Sequence, residues 1–269
     1  MRHKEKSRIF SFTITKRQKF VSSTVILTSG LVVTQLLGSD SRFLIVGLLS
    51  VVAYFISAFA LREDLTGIKW ITLLVLPMMY TLAVGLSYFL LPTRWITRLP
   101  VALLYALGIY ALLLTENIYS VAVARTIQLL RAAHAVGFLL TLATAFLLFH
   151  TLLSFHLPFW LNFPGVFLIA LPLLVQALWS VKLEEGITPT VAQYGFFLSL
   201  IIAELALALS FWPSNITLWA LFLTAAVYAL LGVSQQHFAG RLFKRTAIEF
   251  FLVPSVIILI LFFSTSWGG

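Results

Sequence analysis

The feature that most constrains this chain is a series of nine long apolar runs separated by short polar breaks. Most of the runs approach the ~20 residues that a helix, rising about 1.5 Å per residue, needs to cross a bilayer. Lipid offers no partner for a bare backbone N–H or carbonyl group, so each run is predicted to be a helix. The runs are 20–38, 43–61, 70–91, 100–115, 133–155, 164–181, 191–211, 217–233 and 248–266.

The composition favours lipid as the solvent of this chain. Hydrophobic residues make up 61% of the sequence and charged residues 10%, whereas a soluble domain has about 25% charged residues. The sequence therefore predicts an all-α fold, a polytopic transmembrane bundle of about nine spans in one domain (20–269) after a basic tail (1–19). The fourth run is short, and the sequence does not determine its boundaries: the helix starts as early as Ile96 or continues through Tyr119.

The Lys and Arg residues predict the orientation. The tail and alternate loops contain 15 of them and the opposite loops contain 3, which accounts for all 18. By the positive-inside rule the N-terminus is cytoplasmic, and nine spans then place the C-terminus outside. The predicted location is a cell membrane, the inner membrane in a bacterium. Membrane lipids are the expected partners of the basic tail, and nucleic acid is not, because the basic residues are not gathered on one soluble face.

Glu204 is the acidic residue farthest from the ends of any run, about three residues past the centre of 191–211. An ionised side chain at that depth costs ~3 kcal/mol, so Glu204 is predicted to face the bundle interior as a proton or cation site. Gln193 falls on the same helical face, and His150 lies at similar depth in the fifth run as a candidate partner. The alternative is a Glu204 that hydrogen-bonds a neighbouring helix as a purely structural contact.

A second candidate site lies in 116–134, which is predicted to be an amphipathic surface helix or the entry to the fifth helix. Arg125, Arg131 and His134 recur there at multiples of three residues, together with Gln128, and form a ridge suited to phosphate or carboxylate oxygens. Snorkelling of the basic side chains is the alternative explanation.

The fifth run also has small residues at four-residue steps, a pattern that lets another helix approach closely. This stripe predicts a central position for the fifth helix in the bundle. It consists of Ala133, Gly137, Thr141 and Ala145.

Several kinds of chemistry are not expected. The chain has no Cys, so thiolate metal sites, iron–sulfur ligation and thiol nucleophiles are excluded, and no phosphate-binding, zinc-protease or serine-hydrolase motif is present. No cofactor, metal site or catalytic residue is predicted.

Three hypotheses about function remain open. The first is a permease for a small solute, coupled to an ion or proton through Glu204, Gln193 and His150. The second is a membrane enzyme that binds a lipid-linked substrate at the cytoplasmic face through Arg125, Arg131 and His134, with an acid such as Glu116 as base. The third is an accessory subunit without chemistry of its own, which binds other membrane subunits. Whether the chain is an enzyme is left open, although the sequence favours a protein without enzymatic activity.

Overall fold

The computed structural model describes residues 15–34, 41–90, 95–122 and 129–265. These residues form nine α-helices and no β-strand, as the fold class requires. The helices are α1 (Lys16–Thr34), α2 (Arg42–Leu61), α3 (Lys69–Tyr88), α4 (Trp95–Ala122), α5 (Leu130–Ser154), α6 (Phe159–Lys182), α7 (Pro189–Leu209), α8 (Ile216–Phe238) and α9 (Lys244–Ser264).

The chain is a helical membrane bundle. Eight of the described helices, α2 to α9, are long and apolar enough to cross a bilayer. The remaining helix, α1, starts with several polar residues but packs lengthwise against α2 and α4. It buries one face there, which includes Phe20, Leu27 and Leu31.

Ion pairs join helix ends that the sequence predicts to share the cytoplasmic face. Lys16 Nζ lies 2.7 Å from Asp64 Oδ2, and Lys19 Nζ lies 2.6 Å from Glu63 Oε1. At the same end, Lys69 Nζ donates a hydrogen bond to the Ser120 carbonyl at 3.1 Å. The start of α1, the α2–α3 turn and the end of α4 therefore lie together, as expected for helices that alternate in direction. We call this the basic end of the bundle.

Glu63 lies outside the membrane-spanning helices and interacts with two lysines. The Lys19 ammonium, through its hydrogen bond and its charge, holds the pKa of the Glu63 carboxyl below its usual 4.5, and Lys16 adds to the effect. This exposed ion pair connects α1 to the α2–α3 turn.

Helix α4 is longer than the fourth apolar run. Its 28 residues extend through Ala122, so the prediction of a separate surface helix starting at Glu116 is wrong. Residues 116 to 122 continue the span because Glu116, Tyr119 and Ser120 belong to the buried face of α4. Residues 123–128 lie outside the described part of the chain.

Helix α5 is central, as predicted: it packs against α3, α4, α6 and α8. The four small residues of its stripe are all buried. A Cβ atom added at Gly137 would lie 2.6 Å from the Tyr119 hydroxyl of α4, so glycine permits this contact.

Helix α9, in contrast to α5, has few contacts with the rest of the bundle. It packs against α8 and touches Trp212, and Leu261 is the one side chain in its span that is buried.

Candidate functional site

A groove of about 730 Å³ opens on the side of the bundle between α4 and α5, with α3 behind it. Its lining is mostly apolar and includes Val84, Leu104, Leu140 and Leu147. On α3 and α4 the groove occupies the half away from the basic end, and on α5 it begins at Val136. Nearer the basic end, α4 and α5 meet closely at Tyr119 and Gly137.

Two tyrosines, Tyr80 and Tyr105, line the wall of the groove. The rings of Tyr80 and Tyr105 are stacked with centroids 5.7 Å apart. The Tyr80 hydroxyl donates to the Leu104 carbonyl at 3.2 Å, and the Tyr105 hydroxyl lies 3.0 Å from Thr81 Oγ1. Gly108 makes room for the Tyr80 ring, because a Cβ at position 108 would overlap it. These hydroxyls already have protein partners, so the wall is well ordered and largely apolar in character.

His150 and Thr217 lie at the end of the groove that is farthest from the basic end. His150 Nε2 and Thr217 Oγ1 are 3.3 Å apart, within hydrogen-bonding distance. Thr217 is fixed in the first turn of α8, where Asn215 caps the helix by accepting a hydrogen bond from the Thr217 backbone N–H. Among the described lining residues His150 is the one imidazole, and no carboxylate lines the groove. The arrangement suits a ligand with a long apolar part and one small polar part.

A fully enclosed acid, Glu116, lies between α4 and α6, about one helical turn from Tyr119. Glu116 is 0% exposed, and its Oε1 accepts a hydrogen bond from Gln176 Nε2 at 3.2 Å. Its other oxygen, Oε2, and Gln176 Oε1 have no hydrogen-bond partner within the described chain. Each of these two buried oxygens can accept a further hydrogen bond, and the Glu116 carboxylate can also take a proton.

Two side chains near this acid, Tyr119 and His134, join α4, α5 and α6. The Tyr119 hydroxyl donates to the Ala133 carbonyl at 3.0 Å, and its ring packs against His134 at 5.5 Å between centroids. His134 Nε2 lies 2.8 Å from the Ser180 carbonyl of α6. His134 is thus bound to protein and does not lie free on the surface.

The predicted site around Glu204 is not assembled. Glu204 and Gln193 do share a face of α7, but both are exposed, so the prediction that Glu204 faces the bundle interior is wrong. The buried face of α7 consists instead of small and aliphatic residues such as Gly195, Ser199 and Ala203. A Cβ atom added at Gly195 would overlap the Val175 side chain of α6, so this face packs closely. His150 contacts Thr217, and no contact with Glu204 is found in the described structure.

The predicted headgroup ridge lies partly outside the described residues. Arg131 is exposed at the start of α5, whereas His134 is half-buried against α6, so these two side chains do not form one surface. Arg125 and Gln128 lie outside the described residues. The functional assignment of Arg125, Arg131 and His134 therefore stays a prediction.

The sequence reasoning did not single out Glu116 as a buried residue, although a usable signal was present. Tyr105, Ile109, Leu112, Glu116 and Tyr119 follow one another at three- and four-residue steps, which places them on one helical face. All five are buried. Reading the fourth run as ending near residue 115 concealed this pattern.

The eight long apolar helices of the described residues define a polytopic α-helical membrane protein. Residues 21–264 match the model of the family described as a protein of unknown function (DUF5656). The chain belongs to this family. No curated protein and no solved structure matches it.

Proposed function

We propose that this protein binds a lipid-class ligand, with a hydrocarbon chain of the ligand in the groove between α4 and α5. The single observation that carries this proposal is the groove itself. Its volume of about 730 Å³ lies within the ~300–1,000 Å³ of ordinary ligand pockets, and its lining is apolar with a few polar groups at defined positions.

The position of the groove supports entry from the bilayer. Leu104, Leu107 and Leu139 on its rim are 64%, 66% and 65% exposed, so the rim faces the surface that contacts lipid. A ligand that is already dissolved in the membrane can therefore reach the groove sideways without crossing water. Its polar end would meet His150 and Thr217, where an imidazole and a hydroxyl can bind a phosphate, hydroxyl or carbonyl oxygen.

In this proposal the protein lies in a cell membrane with its basic end in the cytoplasm. The polar end of the groove then lies in the outer leaflet. The ligand is held with its headgroup toward the outside, which differs from the cytoplasmic headgroup site predicted for Arg125 and Arg131.

Photolabelling in reconstituted vesicles tests the proposal. The probe is a phosphatidylcholine with a diazirine on one acyl chain, and the labelled residues are mapped by peptide mass spectrometry. We expect labelling of α4 and α5 at the groove to saturate as the probe fraction rises and to be competed by unlabelled lipid. Labelling of the exposed face of α6 around Leu168 should instead rise in proportion to the probe.

A matched pair of variants separates the groove from the general lipid-facing surface. Ala143→Trp places an indole inside the groove, whereas Leu168→Trp places one on the outer face of α6. We expect Ala143→Trp to reduce groove labelling roughly fivefold or more, because a filled pocket excludes the chain. Leu168→Trp should leave it unchanged. Groove labelling that never saturates, or that is equal in both variants, would contradict specific binding.

The enclosed acid supports a second candidate, a proton-coupled carrier. In this hypothesis the coupling residue is Glu116 rather than Glu204, because Glu116 is enclosed within the bundle and has an unpartnered oxygen. A buried carboxyl that exchanges one proton is the usual element of such carriers.

A proton-flux assay distinguishes the two candidates. Vesicles that contain the protein and a pH-sensitive dye are given a potassium diffusion potential, and the internal pH is followed. A carrier predicts proton entry that Glu116→Gln abolishes and Glu204→Gln leaves unchanged. Flux no greater than in protein-free vesicles would remove this candidate and leave lipid binding untouched. The accessory-subunit hypothesis stays a prediction.

A further inference from the structure

Helix α7 has an exposed face that contains two polar residues and points away from the bundle. This face forms a stripe of Gln193, Phe197, Glu204 and Ala208, all exposed, at positions that repeat along the helix. Neighbouring helices flank the stripe without covering it. On one side Phe196 contacts Phe167 of α6, and on the other Tyr194 contacts Phe238 of α8. We call these four residues the α7 outer stripe.

Glu204 lies within α7, a helix long and apolar enough to cross a bilayer. It precedes the last residue of α7, Leu209, by five positions, which is about 7.5 Å along the helix axis. Side chains on a helix tilt toward its N-terminus, so the carboxyl of Glu204 is directed away from the nearer membrane surface. No hydrogen bond or ion pair to Glu204 is found in the described structure. A carboxyl that faces hydrocarbon without a partner is unfavourable in either protonation state.

We propose that a second copy of this chain covers the α7 outer stripe and forms a parallel two-fold dimer. Both copies have the same orientation in the membrane, so the two-fold axis runs along the membrane normal and each stripe residue faces its own equivalent. The two Glu204 carboxyls then form a carboxylic acid pair, in which a protonated group donates its O–H to the other. Neither polar group is left facing lipid.

The chemistry of the stripe favours a second copy over a different partner. A protonated carboxyl and a primary amide each contain both a donor and an acceptor, so each can pair with its own kind. Glu204 and Gln193 are groups of this type, about 16 Å apart along the helix. Ala208, near the end of the stripe, is small and allows the two backbones to approach. This proposal does not rest on the lipid groove, which lies on other helices.

Cysteine cross-linking tests the proposed interface without background, because the chain contains no native Cys. Phe197→Cys and Ala208→Cys place single thiols on the stripe. Leu139→Cys on α5 and Leu168→Cys on α6 are matched controls on other exposed faces. The variants are reconstituted at low protein density and treated with a short bis-maleimide. We expect covalent dimers from the two stripe variants and background levels from the two controls.

Variants of Glu204 test the role of the carboxyl. The measurement is the dimer dissociation constant from energy transfer between labelled chains as the vesicles are diluted with lipid. Glu204→Gln keeps a self-complementary amide and should dimerise as the wild type does. Glu204→Leu removes the polar pair and should weaken the dimer by ~5- to 30-fold, the range expected for hydrogen bonds between membrane helices.

Three results would overturn the proposal. These are equal cross-linking of stripe and control variants, a Glu204→Leu chain that dimerises as tightly as the wild type, and a different membrane protein cross-linked at position 197 in native membranes. A monodisperse Glu204→Leu monomer with the Tm of the wild-type monomer in mild detergent would show that the variant still folds, so that loss of dimer reports on the interface.

Discussion

Glu116 and Glu204 are acids within membrane-spanning helices, but their surroundings are opposite. Glu116 is fully enclosed between α4 and α6 and is bonded to Gln176, whereas Glu204 faces outward from α7 with no partner among the described residues. The depth of an acid along its helix determines what its burial costs. The face on which it lies determines whether the same chain or another molecule must supply its partner. Glu116 has its hydrogen-bond partner within the same chain, whereas Glu204 has none among the described residues.

The largest expected effect concerns the packing beside Glu116. In Gly137→Leu the new side chain collides with the Tyr119 hydroxyl and breaks its hydrogen bond to Ala133. We expect a loss of ~3 kcal/mol of folding free energy, typical of severe overpacking, measured as a lower Tm in mild detergent. Gly47→Leu is the control, because nothing lies within 4 Å of its Cβ position. Equal Tm values for the two variants would show that this contact is not tight.

The next effect compares the two acids directly. Glu116→Ala leaves the Gln176 amide without its partner and creates a cavity, so we expect a loss of ~2–3 kcal/mol. Glu116→Gln keeps a hydrogen-bond acceptor and should lose less than ~1 kcal/mol. Glu204→Ala should change the monomer by ~0.5 kcal/mol or less, as for other exposed positions. Unfolding in detergent under monomeric conditions measures all three. A loss from Glu204→Ala as large as that from Glu116→Ala would contradict the comparison.

The smallest effect belongs to an acid outside the spans, Glu63. Its pKa is lowered by Lys19 and Lys16, so it stabilises the folded chain at pH values above its ordinary 4.5, and this contribution is lost as the pH falls through the lowered pKa. We expect Glu63→Gln to lower the Tm slightly at neutral pH. The difference from wild type should shrink below pH 4.5 and in high salt, because exposed ion pairs are screened. A difference that persists in acid would mean that the ion pair is not its cause.

The fold was predictable because the features that specify it are local. Each run of about 20 apolar residues must satisfy its own backbone in lipid, so the helices follow from hydropathy along the chain. The small residues at 133, 137, 141 and 145 also correctly predicted a tightly packed α5. The ends of α4 were less certain, because Glu116 and Asn117 lower the hydropathy where the helix continues.

The site was less predictable because the direction in which a side chain points depends on its neighbours. Glu204 and Gln193 were correctly placed on one face of α7. Which face packs inward, however, was decided by Gly195, Ser199 and Ala203, whose small side chains fit against α6. The groove could not be predicted at all, since it arises from the relative positions of α3, α4 and α5 and not from the pattern of any one helix.

The sparse packing of α9 has a consequence for biogenesis. Because α9 contacts α8 and Trp212 and buries little else, the described contacts among the first eight helices do not depend on α9. Its membrane insertion can thus proceed as an independent event, driven by partitioning of its Ile, Leu and Phe side chains into lipid. Docking onto α8 would then be a late step, separate from the assembly of the groove and of the enclosed acid.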